Sequence, residues 1–150
     1  LASHDDTTID DVAGSKSNGT GLAEFPTTLE AAKACRDEGI SIMMGAPNLV
    51  RGGSHSGNIA AAELDDHNLL DVLSSDYVPA SLLQGAIILG LRRGNIASGI
   101  STVTSAPAKA AGLNDRGVIM PGKRADIIRF KLMEDNPIIK GVYARGRRVG

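Results

Sequence analysis

The sequence predicts an α/β fold in which short parallel strands alternate with helices, followed by a small β unit. Three observations carry this expectation. A unit of strand, polar loop and helix recurs four times in about 90 residues, the arrangement that parallel strands with crossover helices produce. Beyond Asp115 the pattern changes to short apolar runs separated by turn residues, with a hairpin return at the end. Aromatics are limited to Phe25, Phe130, Tyr77 and Tyr143, with no Trp, so the core must be aliphatic.

Each element has its own signal. Leu1–Ser3 reads as the end of a strand, and Thr7 or Thr8 can cap a short helix from Ile9, with Asp10 and Asp11 in its first turn. Residues 14–19 read as a turn. Leu22–Phe25 reads as a strand closed by Pro26. Thr28–Glu38 is the best-marked helix: Thr27 or Thr28 caps it, Leu29, Ala32 and Cys35 or Arg36 share a face, and Gly39 ends it. Ile40–Met44 reads as a buried strand. Gly45–Asn58 is a long polar loop, Ile59–Leu64 a short helix and Leu69–Leu73 a strand that leads to Ser74-Ser75-Asp76. Helices follow over Pro79–Arg93 and Ile96–Val103, the second leading to Ala106–Ala111. Strands are expected over Asp126–Phe130 and Ile139–Tyr143, with a return over Gly146–Val149.

The 150 residues suffice for one domain with a sizeable core. A formal net charge of -1 argues against a nucleic-acid surface, and no apolar run reaches the roughly 18 residues of a membrane span. The single Cys35 excludes an internal disulfide and fits a reducing, cytoplasmic compartment. The start resembles no signal peptide, and it opens on a strand end without an initiator Met, as a fragment of something longer would.

In parallel α/β folds reactive residues lie at the carboxyl ends of the strands. His4, Glu24, the 45–58 loop and Asp76 fall there, and their spacings are each long enough for a crossover unit.

Pro107-Ala108-Lys109, Gly112-Leu113 and Gly117-Val118-Ile119-Met120-Pro121-Gly122-Lys123-Arg124-Ala125-Asp126 together resemble the closing signature of the amidohydrolase superfamily. Upstream, Ser3-His4-Asp5-Asp6-Thr7, Glu24-Phe25-Pro26-Thr27-Thr28, Gly45-Ala46-Pro47-Asn48 with Arg51 to Asn58, and Ser74-Ser75-Asp76-Tyr77-Val78-Pro79 are similar to its phosphonate-catabolism branch. The resemblance implies the C-terminal part of a TIM-like (β/α)8 metallo-hydrolase barrel, strands five to eight over residues 1–103. Residues 104–150 would be the closing segment and strands of a small β-sandwich. It also implies a divalent metal ion, zinc or manganese, and hydrolysis of a small phosphorylated substrate with release of pyrophosphate. The His-x-His pair and the bridging Lys or Glu of the superfamily's first four strands have no counterpart among these residues, so the N-terminal half of the barrel would be a partner of this chain. A homo-oligomer is one arrangement open to it.

Under this resemblance Asp76, ending strand eight, binds metal and takes a proton from the attacking water; the alternative is a helix cap before Pro79. His4 suits a transition metal, with Asp5 or Asp6 orienting it or ligating directly, against an exposed histidine before a capped helix. Glu24 is a metal ligand, a substrate contact, the partner of a nearby cation or a solvated side chain. Arg51 offers five donors in a fork suited to phosphoryl oxygens. Gly52 and Gly53 would let backbone N–H groups converge on an anion, and Ser54, His55, Ser56 and Asn58 add donors. His55 has further options, as a metal ligand or as the acid for the leaving group. The loop lacks a P-loop ending, and its plainer reading is a Gly/Ser surface loop. His67 reads as structural, and Lys109 and Arg116 as holding the barrel edge.

Two rival readings stand beside this one. The closing signature fits other reactions of the superfamily equally well, such as hydrolysis of a cyclic amide (dihydroorotase-like) or an N-acyl group (deacetylase-like). An inactive fragment or a domain-swapped assembly is the non-enzymatic reading.

Overall fold

The structure is a computed structural model and describes residues 1–54 and 57–150. Strands β1 (Ala2–His4), β2 (Leu22–Glu24), β3 (Ser41–Gly45) and β4 (Val72–Ser74) pair in parallel in the order β1-β2-β3-β4. Helix α1 (Ile9–Ser17) connects β1 to β2, α2 (Leu29–Asp37) connects β2 to β3, and α3 (Ala46–Arg51) and α4 (Ala61–Asp66) lie between β3 and β4. Three helices follow: α5 (Ser81–Arg92), α6 (Ile96–Ser101) and α7 (Ser105–Ala110). The expected mixed α/β architecture with a parallel sheet is present.

The register makes the sheet two-faced. His4 pairs with Glu24, Glu24 with Met43, Met43 with Val72 and Gly45 with Ser74. Ladder partners point the same way and chain neighbours point oppositely. Ala23, Ile42, Met44 and Leu73 therefore share the face that packs against the helices, in one aliphatic core with Val12, Ala31, Ala32, Cys35, Leu64 and Leu89. His4, Glu24, Met43, Gly45, Val72 and Ser74 belong to the opposite face.

Local chemistry explains the element ends. In α1 the Thr8 side chain accepts from the Asp11 N–H and the Asp11 carboxylate accepts from the Thr8 N–H, a capping box. The helix runs through Gly14 to Ser17 where a turn is expected, and Ser15 Oγ donates to the buried Asp6 carboxylate at 3.1 Å. The expected 45–58 loop also holds a helix, α3, with Pro47 in its first turn and left-handed Gly52 at its end (φ 82°). β4 and α4 begin later than expected, since Leu69 and Leu70 pack in the core before the strand forms.

α5 and α6 cross closely because they meet at glycines. A Cβ on Gly99 would sit 2.1 Å from the Ala86 carbonyl oxygen and 2.4 Å from the Gly90 nitrogen. Arg93, just past α5, donates to buried Asp65 at 2.8 Å and to the carbonyls of Leu70 and Ser98 at 3.0 and 3.2 Å, which fastens α4, the segment leading into β4, and α6 together.

A second, antiparallel sheet contains β5 (Ile127–Met133), β6 (Asn136–Ala144) and β7 (Arg147–Arg148) in that order. Both strands of its first hairpin are longer than expected. Their two-residue turn, Glu134-Asp135, has positive φ at both positions, which matches the right-handed twist of the strands. Among the described residues no helix is long and apolar enough to cross a membrane.

Candidate active site

The chain reverses sharply where the parallel strands end. Asp5, Phe25 and Asp76 have φ of 60°, 55° and 48°. This region is unfavourable for a residue with a Cβ, most of all for a bulky one, and such residues gather at functional sites. The surrounding hydrogen bonds hold the reversals: Asp5 N–H donates to the Glu24 carbonyl, Phe25 N–H to the Met43 carbonyl and Thr27 N–H to the Asp6 carbonyl, each at 2.9 Å.

All three residues line a cavity of about 190 Å³ at the carboxyl rim. Of the residues expected at the site, Arg51, Ser54, Asn58 and Asp76 also face it, and Asn48 and Tyr77 join them. Asp76 lies over the end of β3: a Cβ on Gly45 would be 3.0 Å from Asp76 Oδ2 and 3.4 Å from Phe25 Cε1. Arg51 occupies the last turn of α3, with its guanidinium carbon 5.7 Å from the centre of the Tyr77 ring, a cation–π contact. Asn48 Oδ1 accepts from the Ala61 N–H at 3.0 Å and so ties α3 to the start of α4. The cavity thus combines two carboxylates, those of Asp5 and Asp76, with one guanidinium and neutral amide and hydroxyl groups; the guanidinium and the neutral donors are the part suited to phosphoryl oxygens.

Gly52 and Gly53 do not converge on an anion as expected. Both N–H groups donate to the Asn48 carbonyl, at 3.1 and 2.9 Å, and close the end of α3. His55, and Ser56 beside it, lie outside the described residues.

His4 and Glu24 lie next to the cavity, His4 in contact with two of its lining residues, Asp5 and Phe25. They are ladder partners on the sheet face opposite the helices and do not line the cavity. His4 Nδ1 lies 2.8 Å from Asp5 Oδ2, and the ring packs edge-on against Phe25 with centroids 5.2 Å apart. A carboxylate at Nδ1 favours the proton there and leaves Nε2 as the acceptor. Asp76 follows β4, at the other edge of the four-stranded sheet from β1. Among the described residues no three His, Cys, Asp or Glu side chains come close enough to hold a metal ion.

Other candidates have structural places. His67 caps the end of α4 through its N–H to the Glu63 carbonyl, and Arg116 pairs with Asp115 at 2.8 Å. Cys35 is fully buried, and desolvation together with the nearby Asp6 charge pushes its thiol up to about 11, so it is inert at neutral pH. Sequence reasoning passed over Asn48 and Tyr77. An aromatic directly after Asp76 was the available sign for Tyr77, whereas Asn48 had none, because its role depends on α3.

Comparison with known proteins follows the same line. The sequence model of the Amidohydrolase family matches residues 4–143. Alpha-D-ribose 1-methylphosphonate 5-triphosphate diphosphatase of Escherichia coli K12 is 51% identical over 99% of the chain, which spans 40% of that protein's length. An adenine deaminase of Methylobacterium nodulans is 31% identical over 92% of the chain, corresponding to 26% of that protein. Among solved structures, an amidohydrolase of Thermotoga maritima MSB8 matches all of the chain with a TM-score of 0.75 at 22% identity; the chain covers 43% of it. A prolidase solved with N-methylphosphonate-L-proline matches 99% of the chain with a TM-score of 0.69 at 15% identity, over 44% of its own length.

Proposed function

Because the chain belongs to the amidohydrolase family, we propose that it supplies part of the active site of a hydrolase that releases pyrophosphate from alpha-D-ribose 1-methylphosphonate 5-triphosphate. In this reading the four parallel strands are an arc of a (β/α)8 barrel formed by residues 1–103, and residues 104–150 are the closing segment and strands of a β-sandwich. The observation that carries the substrate class is the rim cavity, where Asp76 and Arg51 face the same space and Asp76, like Asp5 and Phe25 beside it, has a positive φ.

Asp76 takes the proton of the attacking water, and Arg51 offsets charge on the phosphoryl oxygens as attack proceeds. Ser54 and Asn58, with His55, hold the substrate's remaining oxygens. His4 and Glu24 would contribute donors toward a divalent ion, zinc or manganese, which would lower the pKa of a bound water. The 51% identity to a diphosphatase along nearly the whole chain supports the choice of substrate.

The test is pyrophosphate release by the intact protein. Asp76→Ala should lower kcat by a hundredfold or more, about 2.7 kcal/mol of barrier. A rate within about tenfold of the parent would show that Asp76 is not the base. The adenine deaminase relatives favour a second reading, hydrolytic release of ammonia from adenine. Ammonia formed from adenine, with no pyrophosphate from the triphosphate, would decide for that reading.

A further inference from the structure

We infer that Tyr77 is a positioning residue, whose ring holds the Arg51 guanidinium at the rim cavity with its N–H donors left for the oxygens of a phosphorylated substrate; this rests on the function proposed above. Both side chains line the cavity, and the guanidinium carbon lies 5.7 Å from the ring centre. An arginine that is to grip phosphoryl oxygens has to be held, because its long side chain otherwise carries about 2 kcal/mol of rotamer entropy. A carboxylate would hold it but would occupy its donors. Arg36, Arg92, Arg93 and Arg116 are held in that way, by Asp71, Asp66, Asp65 and Asp115 at 2.6 to 2.9 Å. Among the described residues Arg51 makes no ion pair, and its neighbour is an aromatic face. Such a face attracts the cation as a whole and leaves its five N–H groups available to other acceptors.

The place of the ring supports a role outside the core. Tyr77 is 60% exposed, so it gains little by burial, yet it is one of two among the chain's four aromatics that line the cavity, Phe25 being the other. Ser75-Asp76-Tyr77-Val78 forms a turn closed by the Val78 N–H, which donates to the Ser75 carbonyl at 3.0 Å. Asp76 has its positive φ within this turn, and its carboxylate lies over Gly45. One turn after β4 therefore carries the carboxylate and, at the next position, the ring that meets Arg51 from the end of α3. The contact ties the position of Arg51 to that of Asp76, so the charge-stabilising group and the proton acceptor keep one geometry around the substrate.

The experiment uses the intact protein, the variants Tyr77→Leu, Tyr77→Phe and Arg51→Met, and the double variant Tyr77→Leu with Arg51→Met. It reads the Kd of inorganic pyrophosphate by calorimetry and kcat/KM for pyrophosphate release. Tyr77→Leu removes the ring: pyrophosphate should bind about fivefold more weakly and kcat/KM should fall at least as far, with a melting temperature near the parent's. Tyr77→Phe keeps the ring face and should restore both to within about twofold of the parent. With Arg51→Met in place, Tyr77→Leu should change either value by less than about twofold, because the ring acts through the guanidinium. Parent-like values for Tyr77→Leu would overturn the inference, as would a Phe variant as weak as the Leu variant, or a Leu effect that persists without Arg51. A melting point several degrees lower for Tyr77→Leu would overturn it as well, because the ring would then be a structural group. If the parent binds pyrophosphate but releases none from the triphosphate, the proposed function fails and the Kd values still decide the role of Tyr77. If it neither binds nor releases pyrophosphate, both fail; if Arg51→Met is impaired while Tyr77→Leu equals the parent, only the role of Tyr77 fails.

Discussion

Gly45 ends β3 without a side chain, and the Asp76 carboxylate uses the space. A methyl group there would lie 3.0 Å from Asp76 Oδ2 and 3.3 Å from its Cβ. The backbone of Gly45 has an ordinary extended conformation, φ -74° and ψ 129°, so alanine would be resisted by contact and not by backbone strain. Gly45→Ala should therefore leave the fold intact while moving the carboxylate, and kcat should fall by about tenfold or more. Parallel measurement of melting temperature and pyrophosphate release checks this, and parent-like kcat would show that Asp76 tolerates displacement. Asp76 and Arg51 were legible in the sequence, since their chemistry resides in the residue type and Asp76 directly follows a strand. The positive φ of Asp5 and Phe25 was not, because Phe has no local preference for that region and tertiary hydrogen bonds impose it.

Helix α3 shows how an element can hide in a polar segment. Ala46 to Arg51 lacks the length for a visible apolar period, so Gly45–Asn58 reads as loop. Pro47 and Gly52 were sufficient signals for a start and a stop, and they were outweighed by the Gly/Ser content that follows. Helix α2 was legible because it has both a period and a cap. Thr28 Oγ1 accepts from the Ala31 N–H at 3.1 Å and donates to the Thr7 carbonyl at 2.7 Å, so it joins α2 to the segment after β1. Thr28→Ala loses both bonds and should cost about 1 to 2 kcal/mol. Urea denaturation checks it: the midpoint should fall with the slope unchanged. A midpoint equal to the parent's would mean that the cap is not limiting for α2.

At the scale of the whole molecule, recurrence made the parallel sheet readable, while its two-sidedness needed the register. Short strands of three to five residues carry too few side chains for alternation to declare which face meets the helices. The aliphatic core was predictable from composition, and Cys35 lies within it. That burial makes the thiol a probe of opening. The folded thiol titrates at about 11 against 9.0 ordinarily, so folding favours the neutral form, and this contribution is lost as pH rises from 9.0 toward 11. At pH 8 the shift alone lowers the thiolate fraction roughly a hundredfold, so a thiol reagent should label the native chain at least about a hundredfold more slowly than the urea-unfolded chain. Equal rates would show that α2 does not shield Cys35.

The aromatic scarcity of the chain gives the rim an optical consequence. These 150 residues hold no Trp, so the ultraviolet emission they contribute arises from Tyr77 and Tyr143. Tyr143 belongs to the antiparallel sheet, whereas Tyr77 borders the cavity under the Arg51 guanidinium. A ligand that draws Arg51 toward itself changes the surroundings of Tyr77 and leaves those of Tyr143 alone, so within these residues one ring labels occupancy and the other serves as its reference.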